Sequence, residues 1–176
     1  MRLFLAIDPP EEVKSELFNI IQPLRTKHPD YRWVQPKNYH VTVQFFGEVS
    51  NQQEISDRLH DILYDAKSFH LNTFELDTFV SSYIQLYLGF YRQKKLEEIV
   101  TTIRTDLGGV NKSTFIPHIT LSRSALSSKQ QYFALKNEME KLNFDLEFSV
   151  GKLVLFESIL SGRVPEYREI DTFPLL

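Results

Sequence analysis

Cysteine is absent from all 176 residues of this chain, which removes disulfide frameworks, thiolate nucleophiles and cysteine-rich metal sites at one stroke. The expectation that follows is a cytoplasmic protein. Long apolar runs are missing too. The opening Met1-Arg2-Leu3-Phe4-Leu5-Ala6-Ile7 meets Asp8 and two prolines within ten residues, too soon for a signal peptide or a membrane span. Positive charge is not in excess: 20 Lys and Arg stand against 23 Asp and Glu, a formal net charge of −3. That is the wrong sign for a protein that gains affinity by blanketing a phosphate backbone, so any nucleic-acid contact should be small and local. Five histidines are present, but no His-x-x-x-His or Glu-x-x-His spacing, and neither a metal nor a nucleotide cofactor is expected. Gly108-Gly109 lacks a Gly-Lys-Ser/Thr continuation and reads as a helix stop rather than a phosphate loop.

What is present is apolar and aromatic material in plenty, 42% and 13% of the chain, ample for one packed interior. Arg2 to Asp8 reads as a strand. Asp8-Pro9-Pro10-Glu11-Glu12 then offers a cap, prolines and first-turn acids for a helix carrying Val13, Leu17, Ile20, Ile21 and Leu24, which Pro23 shortens or kinks. Tyr31 to Val34 suggests a short strand, and Pro36-Lys37-Asn38 a loop. Ser50 with Gln53 resembles a capping box before Ile55, Leu59, Ile62 and Leu63. From Phe69 to Phe79 the alternation changes parity, which calls for a bulge or tight turn near Thr73. Tyr83 to Phe90 alternates cleanly. Leu96, Ile99, Val100, Ile103 and Leu107 define a third helix; Ser127 or Ser128 can cap a fourth, with Tyr132, Leu135, Met139 and Leu142 on its apolar face. Three strands follow, near 144–150, 152–159 and 167–173. This order argues for an α+β fold with mainly antiparallel sheets. His28, His60 and His70 read as solvent-facing or capping residues.

One pattern occurs twice. His40-Val41-Thr42-Val43 returns as His118-Ile119-Thr120-Leu121, with the histidines 78 positions apart (118 − 40), close to half the chain. On a strand, side chains repeat every two residues, so each His shares a face with its Thr, while Val41, Val43 and Phe45 take the other. If the halves pack as a pseudo-twofold pair, the two histidine strands face each other across a cleft. Two imidazoles on opposing walls can serve as general acid and general base at a phosphorus centre, and the threonine hydroxyls can hold its non-bridging oxygens. Strict alternation would set Arg123 on the face opposite His118.

These two motifs, with Arg2-Leu3-Phe4-Leu5-Ala6-Ile7-Asp8, Arg32-Trp33-Val34-Gln35-Pro36, Phe46-Gly47-Glu48-Val49, Pro117 through Arg123 and Leu155-Phe156-Glu157-Ser158, resemble the 2H phosphoesterase superfamily. The flanks look like the RNA 2′,3′-cyclic phosphodiesterases, also called 2′-5′ RNA ligases. The resemblance implies one domain over residues 1–176 made of two intertwined lobes, with two mainly antiparallel sheets flanking a central cleft and helices outside. It implies hydrolysis of a terminal 2′,3′-cyclic phosphate to a 2′-phosphate, with the reverse 2′-5′ ligation as a further capacity. His40 then matches the proton donor, His118 the proton acceptor, Thr42 and Thr120 the phosphate-binding hydroxyls and Arg123 the arginine that pairs with phosphate. Phe4 and Tyr39 are candidates for stacking on a base. The implied partners are RNA 3′ ends or small nucleotides carrying the cyclic phosphate, with no metal and no membrane, and a monomer suffices. The chain departs from many relatives in the central strands, where Asp77 through Ser82 lacks a Gly-x-Phe-Pro-like segment and Tyr83 to Phe90 lacks a tryptophan. Two alternatives stay open: a module that binds a nucleotide without hydrolysing it, and an enzyme of the same superfamily acting on 2′-5′ oligonucleotides or cyclic ADP-ribose phosphates.

Overall fold

A computed structural model describes residues 1–109, 113–125, 128–160, 162 and 164–176. The first strand, β1 (Arg2–Ile7), leads into α1 (Glu11–Ile20) and α2 (Gln22–Lys27). Pro23 stands in the first turn of α2, where its missing N–H costs nothing. Asp8 does not cap α1, contrary to the sequence expectation: the helix begins after Pro10 with no side-chain cap. The Asp8 carboxylate instead meets Lys14 Nζ at 2.7 Å, and the same ammonium, only 5% exposed, holds Glu11 at 2.9 Å.

A two-residue strand, β2 (Arg32–Trp33), and a 3₁₀ turn over Pro36–Asn38 deliver the chain to β3 (Val41–Glu48). Next comes α3 (Gln52–Leu63), capped by Asn51, whose side chain accepts from the Glu54 amide. The cap therefore stands one residue later than Ser50, and Asn serves as well as Ser there. The strands β4 (Phe69–Val80) and β5 (Tyr83–Phe90) form a hairpin with the parity change at Phe74, an extra residue between Thr73 and Glu75. The helix α4 (Lys94–Leu107) stops at Gly108, with φ 66°. β6 (His118–Ala125) carries the second motif, Ser128 caps α5 (Lys129–Met139) by accepting from the Gln131 amide, and Ser127 lies outside the described residues. β7 (Glu147–Val150), β8 (Lys152–Ile159) and β9 (Glu166–Pro174) complete the chain. No helix among the described residues is long and apolar enough to cross a membrane.

The strands follow one antiparallel hydrogen-bonded path, β7-β4-β5-β6-β3-β1-β8-β9, with β2 also paired to β6. Two sheets were expected, and the difference lies in the centre: β6 and β3 are joined by a single residue pair, Ile119 with Val41. Each half repeats a strand, a helical segment and an antiparallel strand, β1 to β3 and β5 to β6. The next strands cross over. β4, which follows the first motif in sequence, pairs with β5, and β8, which follows the second, pairs with β1.

Alternation along β1 separates two environments. Leu3, Leu5 and Ile7 join the main hydrophobic cluster with Val41, Ile119 and the helix residues Leu17, Leu59 and Ile103. Phe4 and Ala6, equally buried, face the other way, toward the cleft side of β3. Two of the remaining histidines staple elements together. His28 Nε2 meets Glu138 at 2.8 Å, tying α2 to α5, and His60 Nε2 meets Asp171 at 3.0 Å, tying α3 to β9, where Ser56 also donates. His70 is exposed.

Candidate functional site

A cleft of about 560 Å³ opens over the central rung, and His40, Thr42, His118, Thr120 and Arg123 all line it. Val41 and Ile119 point into the core from the rung between them. Counting one residue outward along the antiparallel strands places His40 across from Thr120 and Thr42 across from His118. Each imidazole thus has a hydroxyl from the other half as its cross-strand neighbour, and the four side chains share one face.

The two rings are held in the same way. His40 Nδ1 donates to the carbonyl of Asn38 at 2.8 Å, and His118 Nδ1 donates to the carbonyl of Ile116 at 2.7 Å. A carbonyl can only accept, so the proton sits on Nδ1 and the lone pair of each neutral ring is on Nε2. Asn38 is fixed in turn by its side-chain amide, which donates to Pro165 O at 2.9 Å. Aromatic rings wedge both imidazoles: Phe4 and Tyr167 lie 5.0 and 5.2 Å from His40, and Phe79 and Tyr87 lie 5.1 and 5.5 Å from His118. Phe79 and Tyr87 stack at 4.1 Å in the central strands that lack tryptophan.

Burial holds both histidines below the usual imidazole range. For His40 it outweighs the Asn38 hydrogen bond and the attraction of Asp8, and with His118 and Arg123 adding repulsion the pKa falls to about 4. His118 is lowered by burial first and by Arg123 second, against the pull of its bond to Ile116.

Arg123 reaches the cleft because β6 is not regular. Leu86 pairs with Ser122 but Tyr87 pairs with Thr120, so Leu121 is an extra residue, and Leu121 and Ser122 both turn inward. This bulge returns Arg123 to the face of His118. β3 has the same device at Val43, between the pairs Thr42 with Ala6 and Gln44 with Leu5. Phe45 therefore lines the cleft instead of the dry face, and it occupies in the first half the place that Arg123 occupies in the second.

Gln85, which the sequence did not single out, connects the second wall. Its amide donates to Thr120 Oγ1 at 3.0 Å and its carbonyl accepts from Arg123 Nε at 3.3 Å. With an acceptor site of Thr120 filled, its hydroxyl proton is free to point into the cleft, and among the described residues nothing takes the terminal amino groups of Arg123. Arg104, also at the cleft, is engaged with Gln44 Oε1 and Ser113 O. Neither Phe4 nor Tyr39 offers a face to a base. Phe4 lies beneath His40 against Phe45 and Phe156, and Tyr39 is wholly buried, which pushes its phenol up to about 12. Those two stacking expectations are corrected by the packing itself, because a side chain in the core cannot also meet a ligand.

Residues 9–159 match the family model of the 2′-5′ RNA ligase superfamily. The chain is 28% identical to an RNA 2′,3′-cyclic phosphodiesterase of Thermotoga maritima, over 96% of this chain and 92% of that protein. It is 29% identical to one of Methanocaldococcus jannaschii, over 97% and 98%. Among solved structures, E. coli LigT in apo form superposes with a TM-score of 0.75 at 26% identity, covering 99% of this chain and 96% of that one. LigT complexed with phosphate gives 0.70, at the same identity and coverage.

Proposed function

Because the chain belongs to the 2′-5′ RNA ligase superfamily, we propose that it hydrolyses the terminal 2′,3′-cyclic phosphate of RNA to a 2′-phosphate, with its two histidines as general acid and base. The observation that carries this is the matched pair of imidazoles, each locked through Nδ1 and with no partner for Nε2 among the described residues, on adjoining strands at one cleft. The curated relatives named above support the substrate class.

In this reading the cyclic phosphate sits over the Val41–Ile119 rung. Thr42 and Thr120 donate to its non-bridging oxygens, and Arg123 neutralises the charge that builds on them. His118 Nε2 takes a proton from water as the water oxygen bonds to phosphorus. The bond from phosphorus to the 3′ oxygen breaks on the opposite side, and protonated His40 gives its Nε2 proton to that oxygen. The products are a 2′-phosphate and a 3′-hydroxyl; His40 regains a proton from solvent and His118 loses one. With a 5′-hydroxyl in place of water as the nucleophile, His118 takes the hydroxyl proton, the 3′ oxygen leaves with the proton of His40, and the same steps form a 2′-5′ linkage. No step calls on a metal.

Product analysis on an oligoribonucleotide ending in a 2′,3′-cyclic phosphate tests this. The expected outcome is a 2′-phosphate end, formed equally in the presence of chelator, with His40→Ala and His118→Ala each lowering kcat by a factor of about 10² to 10⁴ without loss of folding. A 3′-phosphate product, or full turnover in either variant, overturns it.

A further inference from the structure

Arg123 has a second arginine as its cross-strand partner. β2 pairs with β6 so that Arg32 lies directly opposite Arg123. Both side chains are exposed, and among the described residues neither guanidinium forms an ion pair, although the nearby Lys27 and His28 are both taken by Glu138. Like charges placed directly opposite on a sheet oppose pairing. An anion shared between them removes that penalty and uses the planar donor forks for which arginine is suited.

The space around the pair has the shape for a chain. Arg123 lines the catalytic cleft and also two further grooves, of about 1070 and 790 Å³. Arg32 lines both outer grooves and not the cleft. Tyr83, 43% exposed, stands on the wall shared by the cleft and the larger groove. A ligand leaving the histidines past Arg123 therefore meets a second cation one strand spacing away, about 5 Å, and an aromatic ring beside it. The overall charge of −3 cannot attract a polyanion at large, so this local pair is where a second phosphate gains most.

We propose that Arg32, together with Arg123, binds the phosphodiester on the 5′ side of the terminal cyclic phosphate, so that the preferred substrate is an oligoribonucleotide rather than a free cyclic mononucleotide. This deepens the function proposed above and rests on it. Arg32 is a specificity-determining residue: it does not touch the reacting atoms.

The test compares kcat/KM for a dinucleotide ending in a 2′,3′-cyclic phosphate with kcat/KM for 2′,3′-cyclic AMP. The wild-type protein is expected to favour the dinucleotide by about tenfold or more, and Arg32→Gln to bring that ratio close to one while shallowing the salt dependence of dinucleotide turnover by about one phosphate contact. Arg32→Lys, which keeps the charge without the fork, should retain part of the preference. Equal turnover of both substrates by the wild-type protein, or an equal loss on both in Arg32→Gln, overturns the second phosphate site and leaves the phosphodiesterase reading standing. Turnover of neither substrate overturns both.

Discussion

The two imidazoles ionise below the ordinary histidine range, so near neutrality the free enzyme holds both chiefly in the neutral form. Base work suits that state. The acid work proposed for His40 needs the proton that its pKa of about 4 gives up as pH rises. Since kcat/KM reports the free enzyme, its two limbs belong to the coupled pair, and both should fall below pH 6.5, with activity declining on the alkaline side as His40 loses its proton. A bound phosphodiester adds negative charge and favours the imidazolium, so the optimum of kcat should lie at higher pH than that of kcat/KM. Measuring both profiles on one cyclic-phosphate substrate checks this, and a kcat/KM optimum above 6.5 would contradict it. At this scale the sequence disclosed much: a period of two was enough to set His40 with Thr42 and His118 with Thr120. It was silent on Gln85 and Asn38. Gln85 acts across strands, and Asn38 acts through its backbone carbonyl, which any residue possesses.

Secondary structure was legible wherever apolar periodicity or a breaker residue marked it. Pro23 divides α1 from α2, Gly108 ends α4, and the irregularity near Thr73 resolves as an extra Phe74. The bulges at Val43 and Leu121 were not legible, because each adds a buried aliphatic residue to a run already rich in them. Their effect is large, since they decide that Phe45 and Arg123 face the cleft. The junction behind α4 is equally tight. Gly109 has φ 141°, and a Cβ there would fall 1.6 Å from Gln44 Nε2 and 2.8 Å from Phe45 O. Gly109→Ala should therefore push α4 away from β3 and cost about 2 to 3 kcal/mol, read as a fall in Tm of roughly 5 to 10 °C. An unchanged Tm would mean that this contact is loose.

The halves of the molecule are alike in sequence pattern, yet neither owns all of its strands. β4 from the first half completes the sheet beside β5, and β8 from the second completes it beside β1. We expect this exchange to make folding cooperative across the cleft: calorimetry should give one transition with equal calorimetric and van't Hoff enthalpies. A chain divided between Val80 and Tyr83 should yield pieces that are unfolded alone and folded only when mixed. Two separate transitions would show independent lobes. The motif repeat announced the pairing of the halves but not the crossing of strands between them, nor their fusion at one rung, because sheet order depends on contacts far apart in the chain.

Likeness between the walls stops at one matched position, where a guanidinium stands on one side and a phenyl ring on the other. A molecule with a charged end and a flat end can be seated there in only one sense. In the reaction proposed above, the backbone's near symmetry is thereby expected to become regiochemistry: the placement of Arg123 and Phe45 selects which of two chemically similar ring oxygens departs before any proton moves.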